Sequence, residues 1–88
     1  MTPAPPARNI LRSVWIVTTR GDLPDDYELR EHRTPVHAWN DYSGRILDLE
    51  IDGFTRDGEE ATEYGRRWSA SLSRGIERMT VAIERAAT

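Results

Sequence analysis

The sequence predicts an α+β fold: a three-stranded antiparallel β-meander packed against one long C-terminal amphipathic helix, preceded by a proline-rich N-terminal arm. Three observations predict it. Apolar residues recur three or four apart over the last third of the chain, apolar and charged residues alternate from Arg45 to Asp52, and Pro3, Pro5 and Pro6 keep the first residues out of a regular element. The expected organisation is an extended arm over 1–8 and a single domain over 9–88, with strands at about 10–20, 27–39 and 45–52 and a helix at about 58–87.

The arm reads as polyproline-like extended chain. Val14-Trp15-Ile16-Val17 is a short β-branched run with large groups on both alternating faces, the pattern of a central strand. Gly21 to Asp26 is a turn by composition, with a short helix capped near Asp22 and carrying Pro24 in its first turn as the alternative. Tyr27 to Trp39 then reads as an edge strand, kinked or split at Pro35. After a turn at Asn40 to Gly44, Leu47, Leu49 and Ile51 take one face of the last strand and Asp48, Glu50 and Asp52 the other.

The helix expectation rests on Ala61, Tyr64, Trp68, Leu72, Ile76, Met79, Ile83 and Ala86 falling on one side at about 100° per residue. Asp57 supplies an N-cap carboxylate ahead of Glu59 and Glu60, and Arg74, Arg78 and Arg85 crowd the second half, each sign opposing the partial charge of its helix end. Such a helix is roughly 45 Å long against roughly 26 Å for an eight-residue strand. Its apolar stripe therefore outruns the sheet and calls for a second surface, unless the helix breaks at Gly75.

At 88 residues the chain has room for one small core, and with no cysteine it has neither a disulfide staple nor a thiolate ligand or nucleophile. All twelve basic residues are arginine, which fits either a GC-rich genome or a need for planar, bidentate contacts to carboxylate or phosphate. The net charge of -3 argues against general nucleic-acid binding. No apolar run is long enough for a membrane span or a signal peptide, so a cytoplasmic location is expected. His32 and His37 are badly spaced to share an ion, and no nucleophile or phosphate-loop motif accompanies them. No enzyme activity, metal or cofactor is expected.

Two charged patterns and one ring stand out as contact candidates. Arg67, Arg74, Arg78 and Arg85 would form a stripe beside the helix's apolar residues Leu72, Ile76, Met79 and Ile83, a docking edge or a solvated flank. Asp48, Glu50 and Asp52 would form an acidic row about 6.6 Å apart, suited to a basic cleft or to cross-strand pairing. Trp15 and Trp68 read as core, whereas Trp39 and Tyr42 flank the Asn40-Asp41 turn, where Trp39 reads as a core residue, with an exposed ring that anchors an interface as the alternative. The junction Gly53-Phe54-Thr55 followed by Glu59-Glu60-Ala61 resembles the strand-to-helix corner of HicB-type antitoxins. That resemblance implies a regulatory module that binds a toxin nuclease and DNA.

The resulting expectation is a non-catalytic interaction or assembly protein, such as a phage or mobile-element accessory protein that inhibits or decorates a larger complex through its helix and acidic sheet face. The antitoxin-like module is the alternative. A protein partner or a second copy, as a homodimer or a subunit of a larger assembly, is the expected ligand. Opposite charges at the two helix ends point to antiparallel self-pairing of that helix.

Overall fold

A computed structural model describes residues 13–62 and 65–87, so the arm over 1–8 lies outside the described residues. The elements are β1 (Ser13–Gly21), a 3-10 turn (Pro24–Asp26), β2 (Glu28–His32), helix α1 (Pro35–Ile51), β3 (Thr55–Ala61), β4 (Arg67–Arg74) and β5 (Glu77–Ala87). The strands form one antiparallel sheet in the order β2-β1-β5-β4-β3. The α+β class holds, but the three-stranded meander with a long C-terminal helix does not. The segment expected as a helix holds three strands, and the expected strand at 45–52 is the second half of α1.

Helix α1 begins where a strand interruption was expected. Thr34 is its N-cap, accepting a hydrogen bond from the His37 amide through Oγ1 at 3.3 Å, and Pro35 follows in the first turn, where no amide donor is required. Ala38, Tyr42 and Ile46 recur four apart and are buried, with Leu49 packed at the edge of the same core. Leu47 and Ile51, the anchors of the apparent strand alternation, are 56% and 76% exposed.

The helix ends in a Schellman motif. The Gly53 amide donates to the Glu50 carbonyl at 3.1 Å and the Phe54 amide to the Leu49 carbonyl at 2.9 Å, with Gly53 at φ 99°. Phe54 then turns inward into the core. The Gly53-Phe54-Thr55 junction is thus a helix-to-strand corner, the reverse of the corner that the antitoxin resemblance implies.

The last third of the chain is a sheet because its apolar residues also alternate. Ala70 and Leu72 face the helix from β4, between Ser69, Ser71 and Ser73, and Val81 and Ile83 do so from β5. Gly75 occupies the first position of the two-residue loop between them at φ 62°, as a type II′ hairpin requires, and Arg74 pairs with Glu77 across it. Spacings of four, such as Trp68 to Leu72 and Met79 to Ile83, satisfy a helical period and a strand period alike.

Strand β5 zips to β1 from Ser13↔Ala87 to Gly21↔Met79 and to β4 on its other side, which joins the β1-β2 hairpin to the β3-β4-β5 meander. Helix α1 lies over β1 and β5 on one face of this sheet. Val17, Leu72, Val81 and Ile83 are fully buried beneath it, and each such side chain contributes about 1.5–3 kcal/mol to folding. The two edge strands are β2 and β3, whose residues are almost all exposed and densely charged, a composition that discourages further strand pairing.

Candidate functional site

Because α1 covers β1 and β5, the helix side of β4 and β3 is left partly open. A groove of about 360 Å³ lies there, lined by Trp39, Tyr42 and Ile46 of α1, Trp68 of β4, and Arg56 and Glu59 of β3. Trp39 and Trp68 are 38% and 39% exposed. Their ring centroids are 6.4 Å apart at 67°, and Trp39 meets Tyr42 edge-on at 5.3 Å and 83°.

A bulge builds the polar wall of this groove. In the β3–β4 register Arg56 faces Leu72 and Gly58 faces Ser71, so Asp57 is an extra residue and the alternation of β3 shifts by one. Arg56 and Glu59, three apart, thereby reach the same face and pair at 2.7 Å. Glu59 also accepts from the Trp68 indole at 3.1 Å, and this bond, with that from Arg56, holds its carboxyl below the usual range. The Tyr42 hydroxyl is buried without a hydrogen-bond partner among the described residues, and burial pushes its pKa up to about 12, with the Glu59 charge adding to the effect.

A second constellation joins α1 to the β1-β2 hairpin. Asp41 accepts from Arg45 Nε at 3.0 Å and lies 2.8 Å from His32 Nε2, while Arg45 also donates to Thr19 Oγ1 at 2.8 Å and to the Glu28 carbonyl at 3.2 Å. Burial acts to raise the Asp41 pKa, but the bonds from His32 and Arg45 outweigh it and hold the carboxyl below its ordinary value. The Thr19 hydroxyl in this cluster accepts from Arg45, and the cluster's bonds knit α1, β1 and β2 together.

The other face of the sheet carries no helix. Its centre is built from Ile16, Thr18, Thr80, Ala82, Ser69 and Ser71, with Leu29 and Tyr27 toward the β2 edge and Arg20, Arg67, Arg78, Glu31 and Glu84 around it. A shallow concavity of about 400 Å³ opens there between Thr18, Leu29, Arg67 and Thr80.

The expected contact residues are redistributed. Leu72 and Ile83 are core, Met79 packs at its edge, and Ile76, 94% exposed, sits at the tip of the β4-β5 hairpin, so no apolar helix stripe exists to self-pair. The arginine stripe is divided by strand alternation: Arg67 and Arg78 lie on the uncovered face, Arg74 and Arg85 on the helix side. Arg74 binds the Asp52 carbonyl at 2.6 Å and carboxylate at 2.9 Å, and lies over the Phe54 ring. The acidic row is dispersed too, since Asp48, Glu50 and Asp52 are on or just past α1, where steps of two turn about 200°, and Glu50 pairs with Arg56. Trp39 does reach the surface, on the helix rather than in a turn, and Trp68 joins it there instead of entering the core. The sequence signal that was missed is Trp39 and Tyr42 three apart, which is one helix face.

Among the described residues there is no group of three or more His, Asp or Glu placed to hold a metal ion, and no helix long and apolar enough to cross a membrane. Comparisons of the chain with protein-family models, curated proteins and solved structures return no match.

Proposed function

We propose that this chain is a non-catalytic assembly module that pairs with a second copy of itself through the uncovered sheet face. The observation that carries the reading is the composition of that face, with small hydroxyl side chains and the apolar Ile16 and Ala82 at its centre and charges of both signs around it. Five strands about 4.8 Å apart and some 25 Å long present roughly 500 Å² in projection. Side-chain relief brings this close to the roughly 600–1,000 Å² per partner of a specific complex. The rim carries both signs, with Arg20, Arg67 and Arg78 beside Glu31 and Glu84, so two copies can set acid against base.

Sedimentation equilibrium tests the proposal. Wild type is expected to dimerise, and Thr18→Arg with Ser71→Arg to give a monomer that keeps its circular dichroism and cooperative melting. A wild type that stays monomeric at several hundred micromolar, or a double variant that still dimerises, would overturn it.

A further inference from the structure

We propose that the groove between Trp39, Tyr42 and Trp68 is an aromatic cage for a small quaternary ammonium solute of the choline type. The two indoles have ring centroids 6.4 Å apart at 67°, and Tyr42 meets Trp39 at 5.3 Å and 83°. Rings set steeply to one another form the walls of a corner rather than a stack. A cation seated in that corner lies within about 6 Å of more than one ring centre, the range in which a ring face attracts positive charge. The groove's volume of about 360 Å³ is room for a small molecule.

Charge and hydrogen bonding select the ligand. Helix α1 and strand β3, which flank the groove, each carry three carboxylates against one arginine. In the groove wall Arg56 is shared between Glu59 at 2.7 Å and Glu50 at 3.4 Å, which leaves one negative charge in excess near the indoles. That excess favours a cation. A primary ammonium needs acceptors for its N–H groups, but both oxygens of Glu59 are already engaged, Oε1 by Arg56 and Oε2 by the Trp68 indole. A quaternary ammonium has no N–H to satisfy, so attraction to the ring faces and to the carboxylate charge is enough to hold it. The groove is on the helix side of the sheet, so this site is independent of pairing through the opposite face.

The indole N–H resonances of the isotope-labelled full chain test the proposal, followed as choline chloride is added against a sodium chloride control. Those of Trp39 and Trp68 should shift and saturate, while that of Trp15, packed against the core away from the groove, serves as the reference. The neutral isostere of choline, in which a tert-butyl group replaces the trimethylammonium, and the primary methylammonium ion should each bind about fivefold more weakly or worse. Trp39→Ala should weaken choline about tenfold, read at Trp68, with the circular dichroism unchanged. Indole signals that move no further than in sodium chloride, an isostere that binds as tightly as choline, or a Trp39→Ala chain that binds like wild type would overturn the proposal. So would tighter binding of a trimethyllysine peptide than of choline, which would assign the cage to a partner's side chain.

Discussion

His32 Nε2 lies 2.8 Å from Asp41 Oδ2, so the last residue of β2 is tied to the second turn of the helix that follows it. The other carboxylate oxygen takes Arg45, which reaches on to Thr19 of β1. One carboxylate therefore aligns α1 with both strands of the hairpin.

Asp41→Asn should destabilise the fold by about 1–3 kcal/mol at pH 7, the cost of weakening charge-assisted bonds in a partly buried site. The folded pKa of Asp41 is lowered below 3.8. Its stabilisation is therefore complete above the unfolded value and lost as pH falls through the folded one. Urea unfolding at pH 7, 5 and 3 should show the gap between wild type and variant closing at the lowest pH. A gap that stays constant would mean that the charge of Asp41 contributes nothing.

Tyr42→Phe should be neutral or stabilising by up to about 1 kcal/mol, because it removes a buried hydroxyl that has no partner among the described residues. The raised pKa gives a second readout. Stability is complete below the ordinary tyrosine value of 10.0 and is lost as pH rises toward about 12, a change worth roughly 2–3 kcal/mol. That alkaline loss should be smaller in the phenylalanine variant when both are unfolded in urea at pH 9 and 11.5.

Two glycine substitutions should act in opposite directions. Gly53→Ala places a Cβ at φ 99° and 3.4 Å from Arg74 Cδ, and should cost about 1–2 kcal/mol. Gly44→Ala, inside α1 with open space around it, should stabilise by about 0.5–1 kcal/mol. Thermal melts that show both variants shifted the same way would contradict the helix boundary at Asp52.

Leu72→Ala should cost about 2–5 kcal/mol, as for other buried leucines, whereas Ile76→Ala should change stability by less than about 0.5 kcal/mol because Ile76 is 94% exposed. Equal costs at the two positions would restore a common helical stripe.

Several local signals were legible in the sequence. The β-branched run at Val14 to Val17 is β1, the Gly21–Asp26 cluster separates β1 from β2, and Gly53 and Gly75 mark chain reversals. The candidate groove was hardly legible, since Trp39 read as a core residue with an exposed interface anchor as the alternative. Its other tryptophan was assigned to a core that Trp68 does not enter, because reaching the groove depends on how far α1 covers the sheet.

What the sequence determined by itself was the α+β class and the spacing of apolar residues, because both reside in the order of side chains along the chain. Only tertiary structure decided which period each segment obeys. Leu47, Leu49 and Ile51 alternate, yet Thr34 and Pro35 start a helix whose face at Ala38, Tyr42 and Ile46 is buried by β1 and β5. Trp68, Leu72, Met79 and Ile83 sit four apart in pairs, a spacing common to both periods, and the choice falls to strand because Ser13 to Gly21 supplies the hydrogen-bonding edge for β5 more than fifty residues away in sequence. Backbone pairing between distant segments leaves no local pattern, so it becomes visible only when the chain has folded.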